Sequence, residues 1–179
     1  MSDYNYWRFK LPLAVWITGL PGSGKSTISE AFRRKHPEFI ILRIDELRRI
    51  VTPEPTYSEE EREYVYRALV FTARKLQDAG HDVIIDATGN MRRWRDLARK
   101  VLDNFREVYL RCNLELCAQR EMKRRVRHAA PKDIYRKAQE GWPVPGVNVP
   151  YEEPESPELV IDTEKTEVSR AVEMLESLI

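Results

Sequence analysis

Eight consecutive residues, Gly19-Leu20-Pro21-Gly22-Ser23-Gly24-Lys25-Ser26, match the spacing G-x-x-x-x-G-K-[ST], and Thr27 follows. Gly22 and Gly24 allow torsions and close approaches that a side chain would block. The backbone N–H groups of such a loop, added to the positive end of the following helix, cradle phosphate. Lys25 suits the β- and γ-phosphates, and the Ser26 hydroxyl suits Mg²⁺; Ser23 and Thr27 complete the cradle. This pattern predicts a nucleoside triphosphate with Mg²⁺ and leaves the reaction open.

Two carboxylates stand near the cradle in the expected order. Asp45, in Ile44-Asp45-Glu46-Leu47-Arg48, follows a second apolar run. It suits an acid that orients an acceptor hydroxyl and assists Mg²⁺, and it equally suits a helix N-cap; the two roles are compatible. Asp86 ends Val83-Ile84-Ile85 and suits a carboxylate linked to Mg²⁺ directly or through water, or a capping turn before the next helix. Arg48, Arg62, Arg67, Arg92 and Arg95 are candidate anion contacts. Trp7, Trp16 and Trp94 read as packing residues, whereas Tyr57 and Trp142 fall in loops on the side of the cradle. His36 and His81 read as surface turn residues without a catalytic role.

These groups need a scaffold that brings strand ends together. Apolar runs at Leu13–Thr18, Phe39–Arg43, Asp82–Asp86, Val108–Cys112 and Leu159–Ile161 predict five strands. Helical patterns occupy Lys25–Lys35, Ser58–Ala79, Met91–Asp103, Leu114–Arg127 and Thr166–Leu178. Ser58 with Glu61 forms a capping-box pattern, and Gly80 is a natural stop. The alternation predicts an α/β chain, a three-layer P-loop NTPase fold with a five-stranded parallel sheet and a basic helical lid. Residues 120–137 carry eight Lys or Arg against Glu121 and Asp133, whereas 152–167 carry seven acids against Lys165. Two solvated faces, or a basic lid closing over phosphate, would each produce this segregation. Prolines at 131, 143, 145, 150, 154 and 157 make 141–157 an extended, turn-rich loop.

Whole-chain quantities narrow the classes further. A length of 179 residues predicts one domain over 1–179, with the lid and substrate loops at about 120–157. Hydrophobic residues at 42% exclude wholesale disorder. Thirty Lys and Arg against 29 Asp and Glu leave a net charge of +1. That balance argues against a dedicated nucleic-acid coat, and a polyanion would need a local patch. Two cysteines, Cys112 and Cys117, make no disulfide framework, and neither a transmembrane run nor a signal peptide is visible. The expected setting is the reducing cytoplasm. A base-reading N-K-x-D is missing, which turns the prediction from a GTPase to a small phosphotransferase.

The chain resembles the adenylylsulfate (APS) kinases over most of its length, most specifically in its C-terminal part. Pro131-Lys132-Asp133-Ile134-Tyr135-Arg136-Lys137-Ala138 is similar to that family's V-K-G-L-Y-K-K-A. Pro150-Tyr151-Glu152-Glu153-Pro154-Glu155-Ser156-Pro157-Glu158-Leu159, followed by Asp162-Thr163, is similar to its P-Y-E-x-P-x-x-P-E-L stretch. The resemblance implies an ATP- and Mg²⁺-dependent kinase acting on the 3′-hydroxyl of adenylyl sulfate, and a homodimer. It places Asp45 on the second aspartate of the D-G-D motif, the family's base, and Arg48 on the arginine after it. Arg62 falls on the arginine of D-R-x-x-N, and Arg92 and Arg95 on those of S-P-Y-R-x-x-R. Tyr57 falls where a stacking phenylalanine stands, and Lys132 falls on a lid lysine. Arg120 and Thr163 are the implied nucleotide contacts.

The departures from the family pattern are equally specific. Arg43 and Ile44 occupy the first two positions of D-G-D, and Val65 that of the D-R-x-x-N asparagine. Val144-Pro145-Gly146 stands where the family has F-T-G, with Trp142 nearby as the substitute ring. The run Asp86-Ala87-Thr88-Gly89-Asn90-Met91-Arg92 is reminiscent of polynucleotide and small-alcohol kinases. A kinase for another alcohol, such as a 5′-hydroxyl polynucleotide end, and a non-catalytic nucleotide-binding regulator are therefore the alternatives.

Overall fold

The computed structural model describes residues 11–126 and 128–179. Five parallel strands form one sheet in the order β2-β3-β1-β4-β5. They are β1 (Ala14–Thr18), β2 (Ile40–Arg43), β3 (Val83–Asp86), β4 (Phe105–Arg111) and β5 (Leu159–Asp162). The helices are α1 (Lys25–Lys35), α2 (Ile44–Val51), α3 (Glu59–Asp78), α4 (Arg92–Val101), α5 (Leu114–Lys123), α6 (Ile134–Gln139) and α7 (Val168–Glu176).

Alternation along β1 divides the core into two layers. Ala14 and Trp16 face α3 and α4, where they meet Val65, Leu69, Ala73, Trp94 and Ala98. Val15 and Ile17 face α1 and α7, against Ile28, Phe32, Val172 and Leu175. A strand buried on both faces reads as a continuous apolar run, which is why β1 and β3 were legible as such. Trp16 and Trp94 are core residues, as expected; Trp7 and Arg127 lie outside the described residues.

Several boundaries differ from the sequence pattern. β4 starts at Phe105 rather than Val108, because Phe105 pairs in register with Ala14. The charged Glu107 hides this start: it is buried against Arg95, whose Nε lies 2.7 Å away. α5 ends at Lys123, so residues 124–126 leave the helix that the pattern carried to Arg127. The short helix α6 was not visible in the pattern, and α2 was suggested only by Asp45 as a cap. The residue capping α2 is in fact Arg43, with Asp45 inside the first turn. His36 is not a plain surface residue; it stacks on Phe32 at 4.5 Å and lies 3.1 Å from Glu176. Among the described residues, no helix is long and apolar enough to cross a membrane.

Candidate active site

Because all strands run parallel, β1, β2 and β3 deliver their following residues to one edge of the sheet. There they line a cavity of 970 Å³. The phosphate loop occupies its floor, between Thr18 and Lys25. Gly22 has φ 86, and a Cβ on it would stand 2.2 Å from the Cys117 carbonyl oxygen. The loop can therefore lie against α5 only with glycine there. Gly24 has φ 103 and caps α1 without a side-chain hydrogen bond, and the first turn of α1 holds no acid. α3 contrasts with it: Ser58 accepts from the Glu61 amide, and three glutamates fill the first turn. The N-terminal amides of α1 are thus left for an external anion.

Lys25 Nζ donates to the Gly19 and Leu20 carbonyls, both at 2.9 Å. Burial pushes its ammonium below the ordinary lysine range, opposed chiefly by Asp86. Burial, reinforced by Asp86, raises the Asp45 carboxyl, against the pull of Arg48 and Lys25. Asp86 Oδ2 is buried and accepts no hydrogen bond, with Arg43 Nε 3.7 Å away. Register explains the pairing, since Arg43 and Asp86 are Cα partners across β2 and β3.

No cluster of three or more His, Cys, Asp or Glu groups able to hold a metal occurs among the described residues. That fits Mg²⁺, which is usually held by one or two carboxylates with phosphates and waters. The orphaned Asp86 oxygen, Asp45 and the Ser26 hydroxyl are the protein groups that would hold it.

The cavity wall gathers most of the other candidates. Ser23, Ser26, Thr27, Arg48, Tyr57 and Arg62 line it, as do Arg120, Trp142 and Thr163. Arg120 donates to Thr163 through Oγ1 at 3.1 Å and the carbonyl oxygen at 2.8 Å. The Tyr57 and Trp142 rings lie 5.0 Å apart, tilted by 43°. The Arg48 guanidinium sits 4.7 Å over the Tyr57 ring. Arg124, Arg125 and His128 bring part of the basic segment to the same wall.

Four candidates lie elsewhere. Arg95 is 1% exposed, and its guanidinium is held by Glu107 and by the Gly89 and Glu152 carbonyls. Arg92 is tied to Glu155 and to the Glu153 carbonyl. Both hold the acidic 152–158 loop against α4 rather than facing the cavity. Arg67 pairs with Glu63 on the surface, and Lys132 is exposed and outside the lining.

Three residues shape the site in ways that their sequence positions do not show. Glu61 was read as a capping acid; its carboxylate instead holds the Thr56 and Tyr57 amides and Arg48. Burial pushes that carboxyl up, but the Thr56 bonds and the Arg48 charge leave it below the usual range. Asn90 lies within a quoted motif, yet only the fold shows it touching Arg62. Tyr135 donates to the Pro21 carbonyl at 2.6 Å, joining α6 to the phosphate loop.

Comparison with known proteins shows the family and the fold. The family model described as adenylylsulphate kinase matches residues 11–162. A probable adenylyl-sulfate kinase of Archaeoglobus fulgidus is 37% identical over 88% of this chain and 99% of its own. The adenylyl-sulfate kinase of Geotalea uraniireducens is 36% identical over 96% of this chain and 82% of its own. Among solved structures, the Mycobacterium tuberculosis APS kinase CysC in complex with AMPPNP and APS superposes with a TM-score of 0.80 at 30% identity. That match covers 93% of this chain and 96% of the other. A phosphate loop with an uncapped helix start, paired acids at adjoining strand ends and a match over nearly the whole length lead to one conclusion: the chain belongs to the adenylylsulphate kinase family, phosphotransferases that use ATP with Mg²⁺ and an alcohol acceptor.

Proposed function

We propose that this chain transfers the γ-phosphoryl group of ATP to the 3′-hydroxyl of adenylyl sulfate. The observation that carries this reading is one cavity holding both the phosphate loop and an adjacent, tilted aromatic pair, Tyr57 and Trp142. An adenine ring suits that pair, and Arg48 beside it suits the acceptor's anionic groups. Trp142 then serves where Val144 replaces the family's stacking phenylalanine.

Asp45 accepts the proton of the acceptor hydroxyl as that oxygen bonds to the γ-phosphorus and the bond to the β–γ bridging oxygen breaks, releasing ADP. Asp45 stands on the wall of the same cavity as the phosphate loop, on the side where the acceptor would approach. Lys25 and the α1 amides hold phosphate charge, and Arg120 with Thr163 flank the nucleotide base. Mg²⁺, when bound, neutralises charge on the β- and γ-phosphates.

ADP release from ATP·Mg²⁺ is the test, run with and without adenylyl sulfate and with a 5′-hydroxyl oligonucleotide in parallel. Stimulation by adenylyl sulfate alone is expected. Stimulation by the oligonucleotide alone would assign the site to polynucleotide ends, and ATP binding without transfer to any acceptor would favour a regulator. Asp45→Ala should lower kcat by at least about 100-fold, the usual contribution of a positioned base; an unchanged rate would remove Asp45 from that role. The homodimer implied by the resemblance would find apolar side chains exposed on α2 and α3, at Ile50, Tyr64 and Phe71. Sedimentation equilibrium tests it.

A further inference from the structure

Arg62 lines the cavity, yet its guanidinium is occupied by the protein. Nε donates to the Tyr57 carbonyl at 3.0 Å and Nη2 to the Pro143 carbonyl at 2.6 Å. Nη1 donates to Asn90 Oδ1 at 3.1 Å. Three of its five N–H donors are therefore engaged. One rigid fork thus pins the backbone of Tyr57 and that of the residue next to Trp142, the two segments that carry the adjacent rings.

Asn90 fixes the fork in turn. It is 1% exposed, and its Nδ2 donates to the Pro150 carbonyl at 2.9 Å. Its own carbonyl accepts from the Glu152 amide at 2.8 Å. The side-chain amide therefore has one orientation, oxygen toward Arg62. Tyr57 needs such restraint: its φ of 57 is a left-handed conformation that a bulky side chain rarely adopts. Strain of this kind persists where surrounding contacts over-determine it, and it clusters at ligand sites. The Glu61 carboxylate holds the Tyr57 amide at 3.1 Å while Arg62 holds its carbonyl.

We infer that Arg62, oriented by Asn90, is a positioning residue that sets the Tyr57–Trp142 slot and thereby selects an acceptor with a planar base. The inference rests on the reading of the acceptor given above. A base between two rings needs roughly 7–8 Å, twice the carbon contact distance, so the rings must part from their 5.0 Å separation. With both backbones pinned, side-chain rotation opens the slot and the loops do not drift. Preorganisation of this kind raises affinity by lowering the cost of ordering on binding. A lysine at position 62 would keep the charge and lose the fork.

The test uses the intact chain with its ATP site filled by saturating ADP·Mg²⁺. Calorimetry then compares adenosine 5′-monophosphate with ribose 5-phosphate, which has the same sugar and phosphate but lacks the base. Arg62→Lys and Asn90→Ser are the variants, each checked for folding by its thermal midpoint. The expected result is a tenfold or greater fall in the preference for adenosine 5′-monophosphate in both variants, with ribose 5-phosphate binding little changed. The near-UV circular dichroism of the two rings should change in the same variants.

An equal loss of both ligands in Arg62→Lys, with Asn90→Ser unaffected, would make Arg62 a plain anion contact and overturn the inference. An unchanged preference in both variants would overturn it as well. A wild-type chain that shows no preference for the base would overturn the adenine reading of the acceptor itself.

Discussion

Arg95 shows why a residue's type and spacing can mislead. Its type, and the family motif it falls on, imply an anion contact, but its charge is matched inside the protein by Glu107 at 2.7 Å. Removing Arg95 leaves Glu107 with the longer Arg99 contact at 3.4 Å and takes a donor from the Gly89 and Glu152 carbonyls. Arg95→Met should therefore destabilise the fold by about 3–5 kcal/mol, a fall in Tm on the order of 10 °C for a domain of this size. ATP affinity of the folded fraction should stay unchanged; calorimetry checks the first and titration the second. Glu63 offers a pH test. Its carboxylate accepts from the buried Trp94 indole at 2.7 Å and from Arg67, and these contacts hold its pKa below the usual range. A depressed folded pKa means stability that is fully present above the unfolded value, about 4.3, and lost as pH falls through the folded value. The wild type should exceed Glu63→Gln by about 1 kcal/mol at neutral pH. That gap should close below pH 4 in denaturant titrations.

Between the phosphate loop and the lid, one hydrogen bond joins two elements. Tyr135 opens the second position of α6 and donates to Pro21 within the cradle, while burial holds its phenol protonated. Tyr135→Phe should untie α6 from the loop. Limited proteolysis should cut the segment between α5 and α6 several-fold faster in the variant, and nucleotide should protect the wild type more than the variant. Equal cutting rates would leave the lid independent of that bond. Asp133 precedes α6 with φ 53, in a place where the family pattern has glycine. Gly22 defines the other boundary of the cradle. A methyl there meets the Cys117 carbonyl, so Gly22→Ala should abolish ATP binding measured by titration, since backbone must shift to admit it.

At the scale of the whole molecule, periodicity alone determined the five strands, the sheet class and the side on which the cradle lies. Strands buried on both faces need uninterrupted apolar runs, and glycine at fixed spacing is what a phosphate-binding turn demands. The cradle residues and the Asp45 and Asp86 pair could be located because parallel strand ends share one edge, whereas Tyr57 and Trp142, which follow α2 and α6, could be read only as loop residues. Tertiary structure decided which cations face the cavity. Arg48, Arg62 and Arg120 line it, whereas Arg92, Arg95 and Lys132 do not, and a guanidinium is written the same way in both settings. The existence of α6, whose Tyr135 donates to the phosphate loop, was likewise beyond the reach of local pattern. Pairings such as Arg62 with Asn90 or Arg43 with Asp86 join residues 28 and 43 positions apart. No local spacing encodes such contacts, because they arise only when separate strands and helices are brought to one edge of the sheet.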